Sequence, residues 1–196
     1  LGNAFLSHIS AVDGIYHVVR AFPDEDITHT EGEVDPLRDI DVISAELRLK
    51  DVAQCEKAIE DLAAQLKRAG GNPNKTALEA ELVVLNAVLK MVNDGQDVRN
   101  GEWSGKEIEF LNKHLFLTSK PIIYLVNIGK DQYIKQKNPW LPKIQAHIKA
   151  NGGGAMIPYS AEFESEVIAG CSNPDDKEEQ AKVAKELGAA SMIDRI

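Results

Sequence analysis

The stretch Lys120–Lys130, KPIIYLVNIGK, decides how this chain is to be read. A proline-started apolar run, Pro121–Val126, stops abruptly at Asn127. A second run, Ala155–Tyr159 (AMIPY), follows after an amphipathic segment and stops at Ser160-Ala161-Glu162. Uninterrupted apolar runs of this length suit parallel strands buried on both faces. In such sheets ligands sit outside the carboxyl ends of the strands. An asparagine amide at one strand end, with backbone N–H groups at the next, can read the hydrogen-bonding edge of a purine. The two runs therefore predict the base-recognition half of a nucleotide-binding α/β domain.

Composition bounds the rest. The chain has 196 residues, 43% hydrophobic and 27% charged, with a formal net charge of −9. That is one domain, or one domain with an insertion. A chain of this size hides roughly 70% of its unfolded surface on folding, enough for a real core. No apolar run approaches the roughly 20 residues that span a bilayer, and no basic segment leads into an apolar one at the N-terminus. No membrane partner is expected. Cys55 and Cys171 have no CxxC spacing, so reduced thiols in a cytoplasmic protein are expected. The negative charge argues against broad attraction to nucleic acid, and no specific DNA partner is expected. Lys135, Lys137, Lys143 and Lys149 read as a solvated helix face.

Along the chain, Gly2–Ser10 reads as a short helix and Gly14–Phe22 (GIYHVVRAF) as a strand. Residues 23–35 form an acidic loop. Asp35 is placed to cap a helix that starts on Pro36. Ile40, Ile43 and Leu47, then Val52, Cys55, Ile59, Leu62 and Leu66, recur at steps of three and four with a single step of five. Gly70-Gly71-Asn72-Pro73 breaks the pattern. Thr76 opens a second helix with Leu78, Leu82, Leu85, Leu89 and Val92 on one stripe. Two seam-like stripes with a tight turn between them predict an antiparallel helical hairpin, too long for an ordinary crossover. The predicted division is an α/β domain over 1–38 and 96–196, with the hairpin inserted at 39–95. A helix over Trp103–Leu117 leads to the strand at Pro121–Val126. Asn138–Asn151 is the crossover helix, ended by Gly152-Gly153-Gly154. The tail 172–196 reads as acidic, then helical.

The usual phosphate-loop pattern GxxxxGK[ST] is absent from the sequence. Gly70–Thr76, GGNPNKT, lacks the glycine before Lys75 and joins two helices, so it reads as a turn. Asp24, Glu25, Asp26, His29, Glu31 and Glu33 have no metal-ligand spacing and read as a solvated loop, so no metal site is expected. His17, alternating within a strand, reads as a packed histidine. No Gly-x-Ser-x-Gly elbow or Cys/His pairing supports other hydrolase chemistry.

Several strings then carry a resemblance that covers nearly the whole chain. They are LGNAFLSHISAVDGIYHVVRAF at 1–22, DEDITHTEGEVDPLRDI at 24–40, EIEFLNKHLFLTSKPIIYLVN at 107–127, and DQYIKQKN with WLPKI at 131–144. They closely resemble the YchF/Obg-like ATPases, a branch of the P-loop GTPase class that prefers ATP. The resemblance implies a partial P-loop NTPase-type domain, a parallel-sheet α/β fold carrying an inserted antiparallel coiled coil. It also implies that the phosphate loop and the DxxG switch precede Leu1, that a TGS domain follows Ile196, and that the catalytic residues lie outside this chain. ATP and Mg²⁺ are the implied cofactors, with the metal ligands elsewhere. Ribosome association and control of oxidative-stress responses are implied roles.

By position, Asn127 matches the asparagine of the NKxD base-reading motif. In guanine-specific relatives the final aspartate accepts from the guanine N1–H and exocyclic amine. Lys130 stands there, where many family members carry glutamate, and a lysine accepts no hydrogen bond. Asp131 lies one residue late. Within the same loop as Gly129, Ile128 is expected to offer the base an apolar contact. Phe22 matches an aromatic expected near the adenine, and Ser160, Ala161 and Glu162 fall where the family's last base loop contributes backbone N–H groups. A second reading makes the hairpin a partner-binding surface and the α/β half a scaffold that binds no nucleotide.

Overall fold

A computed structural model describes residues 8–23, 33–69 and 75–196. Most of the expected helix at Gly2–Ser10 lies outside the described residues, although 8–10 are helical. Outside them too are residues 24–32 of the expected acidic loop and residues 70–74, where the turn between the helices is expected. Among the described residues three strands form a sheet, β1 (Ile15–Arg20), β2 (Ile122–Asn127) and β3 (Ala155–Tyr159), in the order β1-β2-β3. β2 and β3 are parallel, with Ile123 opposite Ala155 and Asn127 opposite Tyr159. β1 also runs parallel to β2, since Ile15 N–H donates to Pro121 O at 2.9 Å and Ala21 N–H to Asn127 O at 2.8 Å. The central strand buries Ile122, Tyr124, Leu125 and Val126, which is why its sequence is a continuous apolar run. β1 alternates instead, with Val19 buried and Tyr16 and Val18 exposed.

By internal contacts the chain divides into two compact units, Leu1–Ile15 with Asp41–Pro121, and Tyr16–Ile40 with Ile122–Ile196. α1 (Pro36–Ala69) begins in the second and runs through the first. Asp35 Oδ1 accepts from the N–H groups of Leu37 and Arg38 at 3.1 and 3.2 Å, the cap expected from the sequence. At 34 residues α1 is about 50 Å long. α2 (Lys75–Asn93) follows, and α3 (Gly105–His114) starts from a reciprocal Ser104–Glu107 capping box. Cys55 and Leu62 of α1 share one buried cluster with Val84, Leu85, Val88 and Val92 of α2 and Leu111 of α3. This is the packing a helical hairpin requires, and Cys55 Sγ lies 3.1 Å from the Leu85 carbonyl oxygen.

One polar side chain interrupts the apolar stripe of α1. Asp51 is fully buried, and its carboxylate accepts from the N–H groups of Leu117 and Thr118 at 2.7 and 2.8 Å and from the Thr118 hydroxyl at 2.7 Å. Thr118 Oγ1 in turn accepts from Val98 N–H at 3.1 Å. Burial pushes the Asp51 carboxyl upward, while the bonds from Thr118 and Leu117 pull it down.

In the second unit the crossover from β2 to β3 uses α4 (Lys130–Ile134) and α5 (Leu141–Ala150), which buries Ile144 and Ile148. Gly154, at φ +134°, turns the chain into β3; a Cβ there would stand 3.1 Å from the Tyr124 ring and 3.3 Å from Ile122 O. α6 (Ala161–Gly170) and α7 (Lys177–Glu186) pack Phe163, Val167 and Ala184 together. α6 is absent from the sequence-based expectation, which gave 160–162 only a loop role. Lys135, Lys137, Lys143 and Lys149 are exposed, the solvated face expected of them.

His17 packs its ring 5.5 Å from that of Tyr124. Burial lowers its pKa to about 4, against a smaller upward pull from Asp39. Folding therefore favours neutral His17, and the stability this provides is complete above pH 6.5 and is lost as pH falls from 6.5 towards 4. We expect wild type to lose on the order of 2–3 kcal/mol more than His17→Phe across that window in urea denaturation. Parallel curves for the two proteins would contradict this.

Candidate base-binding site

The register that sets Asn127 opposite Tyr159 brings two chain reversals side by side at the carboxyl ends of β2 and β3. Ile128 N–H donates to Tyr159 O at 2.9 Å, carrying the ladder one step past the last strand residue. Ala161 N–H donates to Asn127 Oδ1 at 3.0 Å. An N–H donor must meet the carbonyl end of an amide, so the orientation of Asn127 is decided and its Nδ2 is left as the outward donor. On the β1 side, Asn138 Nδ2 donates to Ala21 O at 2.9 Å and to Gln132 Oε1 at 2.6 Å, tying the end of β1 to the segment after α4.

Phe22 stands beside this loop, its Cβ 3.8 Å from where a Cβ on Gly129 would be. The Arg20 guanidinium lies over the Phe22 ring at 5.0 Å, and its Nε–H donates to Phe22 O at 3.1 Å. Ser160 is fully buried and caps α6, its Oγ accepting from Phe163 N–H at 3.4 Å. Ala161 and Glu162 are exposed on the first turn of that helix. Ile128 is buried and is one of the residues that line a cavity of about 370 Å³, with Tyr133, Leu141, Pro158 and Met192.

The fourth position of the loop behaves differently from an acceptor. Lys130 Nζ forms an ion pair with Glu166 of α6, and that hydrogen bond holds the Lys130 pKa above its usual value. Asp131 projects into solvent and lies 3.6 Å from Lys135. Among the described residues no group of three or more His, Cys, Asp or Glu side chains is placed to hold a metal ion. No helix there is long and apolar enough to cross a membrane.

Comparison with known proteins gives the family of the chain. No family model matches the chain. It is 46% identical over 197 residues to Obg-like ATPase 1 of Caenorhabditis elegans, a match covering 100% of this chain and 48% of that protein. To Obg-like ATPase 1 of Homo sapiens it is 48% identical over 167 residues, covering 84% and 41%. Its fold matches a solved structure of the Schizosaccharomyces pombe YchF GTPase with a TM-score of 0.87 and 40% identity, over 100% of this chain and 51% of that one. The chain belongs to the Obg-like ATPase (YchF) family. It spans about half the length of the curated relatives it matches. With the family, the α/β class expected from the sequence also stands, as a parallel sheet matching part of a YchF structure.

Within this Obg-like chain, Asn127, Gly129, Phe22, Ser160 and Ala161 come together around the two strand ends, and Glu162 follows on the exposed turn. Sequence reasoning missed Asn138, Gln132 and Glu166. Asn138 and Gln132 sit inside DQYIKQKN, a string that carried the resemblance but received no role. Glu166 lies in the unforeseen α6.

The Ala161 bond generates a stability prediction. Asn127→Ala removes the acceptor and should cost about 1 kcal/mol in urea denaturation, as loss of a helix cap does. Asn127→Asp keeps an acceptor for Ala161 N–H and should cost less. Equal losses from the two variants would show that this hydrogen bond contributes nothing.

Proposed function

We propose that this chain is the base-binding portion of an Obg-like protein that binds and hydrolyses ATP in preference to GTP, with Asn127, Ile128, Gly129, Phe22, Ser160, Ala161 and Glu162 around the base. The observation that carries this reading is the Asn127 orientation. Its Nδ2 donor suits purine N7, an acceptor in adenine and guanine alike. Selection against guanine then falls to the fourth position. Guanine's N1–H and exocyclic amine need an acceptor there, and Lys130 has none.

ATP fits these residues through its base. Mg²⁺ does not fit a donor set among the described residues, so no phosphoryl-transfer step is assigned to them. In P-loop enzymes the phosphates, the metal and positioned amides provide the transition-state stabilisation. Binding and orienting the purine is this chain's part, and the 196-residue chain alone is expected to be inactive as an ATPase. The unpaired thiols of Cys55 and Cys171 support a cytoplasmic setting.

Calorimetry on the full-length protein tests the reading. ATP should bind more tightly than GTP, and Asn127→Asp, which keeps the Ala161 bond but loses the Nδ2 donor, should weaken both by about 1–3 kcal/mol. GTP binding tenfold tighter would reject the base assignment.

For the domain division we propose an insertion at 39–95 within a nucleotide-binding domain formed by 1–38 and 96–196. The insertion serves a macromolecular partner, with the ribosome as the candidate. Leu85 is 1% exposed. Leu85→Asp in the full-length protein should lower helical circular dichroism, because an unpaired buried carboxylate costs several kcal/mol, while ATP affinity survives. Loss of ATP binding as complete as that from a base-site variant would mean the helical pair is no independent insertion.

A further inference from the structure

The loop 127–130 is tied to the segment 159–166 three times in succession. Ile128 N–H meets Tyr159 O, Asn127 Oδ1 meets Ala161 N–H, and Lys130 Nζ meets Glu166 Oε2. The first two are backbone-anchored and short-range. The third joins the opening of α4 to the second turn of α6 through two long side chains, both part-exposed.

Lys130 is also an odd choice on local grounds. It is the first residue of α4, after Gly129 as the cap, where the helix dipole disfavours a cation. A lysine there is sustained by anions facing it, and the carboxylates of Glu166, Glu162 and Asp131 all act on it, Glu166 most strongly. With its ammonium held against α6, Lys130 is directed away from the role of the motif's fourth position.

We propose that the Lys130–Glu166 ion pair is a clasp that holds the base-reading loop against α6, so that these two positioning residues set purine affinity without reading the base. This rests on the base-site reading above. A clasp depends on opposite charges at the two ends and not on which end carries which. A base reader at position 130 depends on the identity of that side chain.

Calorimetric titration of the full-length protein with ATP and with GTP separates the cases, using Lys130→Met, Glu166→Gln and the exchanged pair Lys130→Glu/Glu166→Lys, with circular dichroism melts confirming the fold. Each single variant should weaken ATP and GTP equally, by about three- to fivefold, the scale of a part-exposed pair. The exchanged pair should recover wild-type affinity for ATP, since glutamate suits the start of α4; its carboxylate at position 130 is an acceptor for guanine, so GTP is compared only among wild type and the single variants. Wild type that binds nucleotide while the single variants match it overturns the clasp and leaves the base site standing. A change in the ATP-to-GTP ratio at Lys130→Met, or an exchanged pair no better than the singles, assigns Lys130 to base reading and also overturns it. Wild type that binds neither nucleotide overturns the base site and the clasp together.

Discussion

The hydrogen bond from Ala161 N–H to Asn127 Oδ1 is the contact on which the candidate site depends. It exists because the parallel register brings the end of β2 beside the end of β3, one step from the start of α6. A slip of one residue between the strands would turn Asn127 to the other face of the sheet and leave Ala161 without that partner. The same bond decides that a donor points outward. The chemistry of the loop thus follows from strand pairing, and strand pairing follows from the apolar runs.

Those runs made the sheet legible in advance. β2 and β3 end where their apolar residues end, and Asp35 caps α1 as its position before Pro36 implied. α6 was harder to see. AEFESEVIAG is half polar and short, and it buries Phe163 and Val167 against α7, a contact that only the fold supplies. The partners at the site were hidden for a related reason. Glu166 and Asn138 are ordinary polar residues until the fold sets them beside Lys130 and Ala21.

The single step of five in the apolar repeat of α1 marks another gap of this kind. Between Leu47 and Cys55 the buried stripe passes through Asp51. A carboxylate in a core is tolerated only when its oxygens are satisfied, and here one turn of backbone at Leu117–Thr118 supplies the donors. The acid and the turn that needs an acceptor solve each other's problem. An irregularity in a repeat can thus mark a polar contact that the repeat alone cannot describe.

Cys55 carries a different consequence. Its thiol is fully buried against Leu85, and burial raises its pKa to about 11. At neutral pH almost none of it is thiolate, the form that attacks electrophiles. Cys171, at the end of α6, also has its pKa raised, by burial and by the Glu179 and Asp176 carboxylates, but it is only half-buried, so accessibility separates the two thiols. A thiol-labelling reagent should therefore modify Cys171 while the fold is intact and reach Cys55 only when α1 and α2 separate. The slow phase of labelling is a clock for the opening of the helical pair, built into the chain without any engineered probe.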